Sequence, residues 1–120
     1  MQVEEILKIV RDKARTYDEH TIYFTLKKMK VRYITQNQVV AIQMLLALKD
    51  LGYPFVTTNL FGELMGIDLG DALSLLHRLS AKHILNLIRE DVHSPSAPFR
   101  YTVSAIFLQH FTVNAEEQGK

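Results

Sequence analysis

Asp71, Ser74, His77 and Arg78 follow one another at intervals of three, three and one, which sets them along one side of an α-helix. A serine, a histidine and an aspartate are the parts of a hydrolytic triad. Here all three would share one convex helical surface, with no pocket around them and no backbone donors aimed at an oxyanion. The same surface suits binding better. Short polar groups on an outward arc can meet base edges, and a guanidinium such as that of Arg78 binds guanine bidentately or grips a phosphate. Other chemistries lack their parts. The five histidines (20, 77, 83, 93 and 110) have no metal-ligand spacing, there is no cysteine, and the five glycines form no phosphate loop. The chain reads as a binding protein, not an enzyme, with no metal and no cofactor.

The element that positions this arc runs from Phe55 to Ile84 and has the pattern of two short helices joined by a tight turn. Thr57 or Thr58 can cap the first, in which Leu60, Phe61 and Leu64 share a face. Gly66 suits a left-handed helix end, Ile67 is a buried plug, and Asp68 caps the next helix. In that second helix Leu69, Ala72, Leu76 and Leu79 form the inner stripe, and Gly70, Ser74, His77, Arg78 and Ala81 the outer arc. Asp68 and Asp71 are helix-start acids favoured by the dipole.

Around this unit the chain supplies enclosing elements. Residues 2–16 form an amphipathic helix with Val3, Ile6, Leu7, Val10 and Ala14 on one face. Lying outside the core motif, it reads as a dimer arm. Residues 20–34 are compatible with a hairpin or with a helix over about 20–29, and the helix is preferred. Thr35 caps a helix to about Asp50 that is apolar almost all round, as befits a central strut. The segment 53–56, with Pro54, is at most an edge strand. Residues 85–91 and 99–104 read as two strands around a loop holding Pro95 and Pro98. After them Ile106, Phe107, Leu108 and Phe111 offer more apolar surface than one helix face can hide. The organisation is one domain: an N-terminal extension (1–34), a core (35–103), a C-terminal helix (104–113) and a frayed tail (114–120).

Charge is unevenly placed. Residues 1–33 carry eight Lys/Arg against five acids, whereas residues 34–120 carry six against eight, within a net charge of +1. Because Lys and Arg supply most non-specific affinity for nucleic acid, the mildly acidic second half weighs against tight binding by that half alone. Lys27, Lys28, Lys30 and Arg32 are the one dense basic cluster. The charged N-terminus is no signal peptide, and no apolar run approaches membrane-span length, so the cytoplasm is the expected location and no membrane partner is expected.

A helix-turn-helix followed by a two-stranded hairpin is the winged-helix arrangement, so the expected fold is mainly α with extra helices at both ends for dimerisation. Over residues 35–111 the order of an apolar helix, the turn MGI, a helix ending HRLSAKHIL, a strand, a Pro/Ser loop and RYTVS is similar to winged-helix regulators of the MarR/ArsR kind. It resembles more closely the N-terminal domain of DnaD-type replication-initiation proteins, a likeness that extends upstream through residues 21–46. The first resemblance implies a dimeric transcription regulator whose helix 69–82 reads the major groove. The second implies an oligomerisation module that docks on a replication partner. Leu73 on the reading helix, His83 at its end and a wing loop without Arg or Lys between Asp91 and Pro98 depart from the regulator pattern.

The expected partners are double-stranded DNA, a second copy of the chain, and a replication or transcription protein. The residues assigned to DNA are Thr58, Asn59, Ser74, His77, Arg78, Lys82, Arg89 and Arg100, with Lys27, Lys28 and Lys30 as phosphate contacts. Those assigned to the dimer are Val3, Ile6, Leu7, Val10, Ile106, Phe107 and Phe111.

Overall fold

The computed structural model describes residues 3–88 and 100–118. Six helices and three strands follow in the order α1 (Val3–Ala14), α2 (Glu19–Lys28), α3 (Gln36–Asp50), β1 (Val56–Thr57), α4 (Thr58–Met65), α5 (Leu69–Ala81), β2 (Leu85–Ile88), β3 (Arg100–Val103) and α6 (Ala105–Gln118). This is a mainly helical, winged-helix-like fold.

The caps explain where the helices begin. Asp18 accepts from Thr21 N, Thr57 from Leu60 N, and Asp68 from Asp71 N, while Thr35 and Gln38 form a reciprocal capping box on α3. Ser104 does two jobs: its hydroxyl accepts from Phe107 N at 3.1 Å and donates to the His83 carbonyl at 2.7 Å, which ties the start of α6 to the end of α5. Four helices end in the same way, with the chain turning left-handed just past the last turn. Gly52 and Gly66 take that position after α3 and α4, and Lys30 and His83, at φ 62° and 63°, take it after α2 and α5. In each case the next residue's N–H reaches back to a carbonyl five positions earlier, as Ile84 does to Leu79 at 3.0 Å.

The central strut is α3, whose Val39, Ile42, Leu45, Leu46 and Leu48 are all buried. Its buried Gln43 is satisfied by the Tyr17 carbonyl, to which Nε2 donates at 2.8 Å. Helices α4 and α5 cross at Gly62, where an added Cβ would stand 3.4 Å from Ala72 Cβ and 3.3 Å from the Ile67 carbonyl. That crossing sets the angle between the two helices of the motif.

The sheet has three antiparallel strands in the order β1-β3-β2, where the sequence pattern gave two. The additional strand is the short edge β1, pairing Val56 with Tyr101 and Thr57 with Arg100. Two residues suffice there because Pro54 bars a longer ladder, and Val56 is drawn in by burial rather than by strand propensity.

The terminal helices also differ from expectation. Helix α1 does not project as an arm; it packs on α3 and α4. Val10 is completely buried there, and Ile6 and Leu7 are partly buried against the core. Helix α6 packs on α2, with Phe107 completely buried and its ring stacked on Phe111 at 5.7 Å. The apolar surplus read as dimer surface is thus largely absorbed within the chain, because α2 folds back to cover α6. Val3 and Ile106 stay more than half exposed. Helix α6 also continues to Gln118, past residue 113 where a frayed tail was expected. Within residues 20–34 the preferred helix forms, ending at Lys28 and followed by a turn and loop, with no hairpin.

Candidate nucleic-acid interface

Helix α5 divides as its sequence dictates except at Leu69, a member of the expected inner stripe that is 56% exposed because it opens the helix, ahead of the turns that pack on the core. Ala72, Leu76 and Leu79 are completely buried, while Gly70, Ser74, His77, Arg78 and Ala81 all face outward. Among the described residues the Arg78 side chain makes no hydrogen bond or ion pair and lies open. His77 is held in place: its ring stands edge-on to the buried Tyr101 ring, centroids 6.3 Å apart. Through that contact the centre of the sheet fixes the pose of a side chain on the arc. Tyr101 is fully buried, its hydroxyl lacks a hydrogen-bond partner among the described residues, and burial raises its pKa, with the Thr58 side chain acting in the opposite sense.

Thr58 and Asn59 occupy the first turn of α4, Thr58 half-buried and Asn59 exposed, where the free N–H groups of a helix start point outward. Arg100 opens β3, half-buried and paired with Ile88 on one side and Thr57 on the other. Arg89 and the loop read as a wing fall outside the described residues. The acids Asp68 and Asp71 are exposed at the start of α5, beside Leu69, which is 56% exposed. The first turn of the helix is thus acidic and apolar. Its cations lie toward the other end.

Lys82 is the residue whose placement the sequence did not convey. It is only partly exposed, and its Nζ donates to the Tyr33 carbonyl and to Gln38 Oε1, both at 3.0 Å. Burial, and then the neighbouring positive charge of Arg78, lower its pKa. Lys27, Lys28 and Lys30 are exposed but lie off this arc, on α2 and the turn that follows it.

A second interaction was invisible along the chain. The Arg11 guanidinium, from α1, donates to the carbonyls of Leu64 (3.1 Å) and Glu63 (2.8 Å) at the end of α4. A cation at a helix C-terminus is favoured by the dipole as well as by the hydrogen bonds. The only signal in the sequence is that Arg11 sits beside Val10 on an otherwise apolar flank of α1.

Asp71, Ser74 and His77 do share one exposed helical surface. Among the described residues no three His, Asp or Glu side chains are gathered so as to hold a metal ion. Nor is any helix there long and apolar enough to cross a membrane.

No protein-family model matches the sequence, nor does any curated protein. A solved structure titled "Possible transcriptional regulator", from Methanosarcina mazei Go1, is similar to this chain with a TM-score of 0.50 and 15% identity, over 84% of this chain and 82% of that one. At that identity the likeness is one of fold.

Proposed function

We propose that this protein is a winged-helix regulator that binds double-stranded DNA by laying the outer arc of α5 in the major groove. The observation that carries the reading is that arc. The chain's own packing buries Ala72, Leu76 and Leu79 on the inner side of α5, yet leaves Ser74, His77 and Arg78 side by side and uncovered. Arg78 is the principal contact, to guanine or phosphate, with Ser74 and the ring-held His77 on base edges. Thr58 and Asn59 meet phosphate at the start of α4, and Arg100 flanks the groove. Lys82, assigned to the same contact from sequence, has an intramolecular role instead. The protein acts as a homodimer, the form that matches a two-fold DNA site, and the apolar side chains left for a second copy are Val3 and Ile9 on α1 and Ile106 and Val113 on α6.

The acidic, apolar first turn of α5 favours a second reading, in which the same face docks on a replication or transcription protein and hardly touches DNA. Fluorescence anisotropy on labelled duplexes from the DNA around the protein's own coding region separates the two. The first reading expects affinity to fall steeply with salt, and Arg78→Ala to weaken binding by about 10-fold or more. Salt-independent binding, or an Arg78→Ala variant equal to wild type, would overturn it in favour of the second.

A further inference from the structure

From His20 to Lys49 the sequence has no acidic residue, and Lys27, Lys28, Lys30 and Arg32 fall within six positions of one another. All four are exposed to some degree, and they are interleaved with aromatic rings. Phe24 is 41% exposed and carries the Lys28 ammonium 5.1 Å over its face. Tyr33 is 87% exposed, far more than any other large apolar or aromatic side chain described.

The loop that presents Tyr33 is not loose. Met29, Val31 and Ile34 pack against the core, so Lys30, Arg32 and Tyr33 are the positions turned away from it. Two of these, Lys30 and Tyr33, hold left-handed backbone at φ 62° and 59°, a conformation that side chains with a Cβ adopt only where the surroundings fix it. For Tyr33 the surroundings include Lys82, whose ammonium grips the Tyr33 carbonyl. Beside the loop a groove of about 400 Å³ is lined by His20, Tyr23, Phe24, Lys27, Val31 and Ile34. Its lining is mostly apolar and aromatic with Lys27 and His20 among it.

We propose that Tyr33, with the groove and cations of α2 and the following loop, is a second nucleic-acid site that takes a single-stranded segment. An unpaired base stacks on the Tyr33 ring, and Lys27, Lys30 and Arg32 neutralise the flanking phosphates. Duplex DNA would use the cations but not the ring, since its bases are already stacked on one another. An exposed aromatic among cations, with the Glu19 carboxylate at the start of α2 engaged by Gln36, matches what unpaired nucleotides need. The site is built on α2 and the loop after it, which Lys82 links to the C-terminal end of α5, and it does not depend on the reading of the α5 arc.

The test is anisotropy of a fluorescein-labelled oligothymidylate, and of the matching oligouridylate, each of about a dozen nucleotides. Wild type binds one or both, the stronger of the two identifying the natural polymer. Tyr33→Ala weakens that binding by about 5- to 150-fold, Tyr33→Phe keeps it, and Lys30→Ala with Arg32→Ala flattens its salt dependence. Arg78→Ala leaves it unchanged, which keeps this site distinguishable from the duplex site. Failure of wild type to bind either strand at low salt overturns the proposal, as does a folded Tyr33→Ala variant that binds like wild type. Loss in Tyr33→Phe equal to that in Tyr33→Ala does the same, since stacking needs no hydroxyl.

Discussion

The Lys82 ammonium donates to the backbone carbonyl of Tyr33, 49 residues earlier in the chain. The same nitrogen reaches Oε1 of Gln38, a side chain only 3% exposed that also accepts from Thr35 N to close the capping box of α3. One cation thereby joins the end of α5, the loop after α2 and the start of α3. The stem that carries it leaves α5 beside the outer arc but bends back toward the core.

Lys82→Met, which keeps the stem and removes the charge, is expected to lower stability by about 1.5–2 kcal/mol, the lower part of the range for hydrogen bonds to a charged group. The salt dependence of duplex binding should be unaffected. Urea unfolding measures the first and anisotropy the second. A salt slope reduced by about one would return Lys82 to the DNA contacts.

Arg11→Ala is expected to cost about 1–2 kcal/mol, because it strips the α4 carbonyls of Glu63 and Leu64 of a charged bidentate donor. Arg11→Lys should restore only part of this, since an ammonium cannot match the planar fork. The comparison is made by chemical denaturation. Equal stability of all three proteins would show that the contact is energetically empty.

His83 and Lys30 occupy helix-ending positions where a Cβ is unfavourable. His83→Gly and Lys30→Gly are each expected to raise stability by about 0.5–1 kcal/mol, the left-handed penalty less the added freedom of the unfolded chain. Gly66→Ala, at φ 68° with open space around its would-be Cβ, should lose a similar amount through backbone conformation alone. Thermal unfolding curves check all three. Lys30→Gly is also expected to weaken strand binding while stabilising the fold, a pairing that separates the two roles.

Burial, together with the hydrogen bond to Asp50 and its charge, raises the Tyr17 phenol well above its ordinary value, and burial raises Tyr101 too. The folded chain therefore keeps protons that the unfolded chain releases near pH 10, so the stability these groups contribute is present below that pH and is lost as pH rises beyond it. Urea midpoints across alkaline pH should fall for wild type and fall less steeply for Tyr17→Phe, which starts lower because its bonds to Asp50 and the Leu46 carbonyl are gone. Phenolate absorbance should show two of the five tyrosines ionising only as the chain unfolds.

The motif was legible because its signals are local. Thr57, Gly66 and Asp68 are cap residues whose roles depend on neighbours within four positions, and the spacing of Ala72, Leu76 and Leu79 needs only helical geometry to define an inside and hence an outside. The left-handed helix end at His83 carries no such local signal; the residue stands out in the sequence only as a departure from the regulator pattern. What failed were inferences about partners across the chain. Apolar Val10 and Phe107 looked alike whether covered by a second subunit or by α3 and α2, and the short strand β1 exists only because β3 arrives beside it.

The sequence by itself determined the helix-turn-helix, the caps at Thr35, Thr57 and Asp68, and the outward placing of Ser74, His77 and Arg78 on α5, because hydrophobic period and capping chemistry act over a few residues. Only the tertiary structure decided that Lys82 turns toward Tyr33, that Arg11 closes α4, and that Tyr33 stands free in an anchored basic loop. Those facts depend on which distant carbonyls and apolar faces are brought within a few ångströms, and a hydrogen bond spanning 49 residues leaves no periodic trace in the chain.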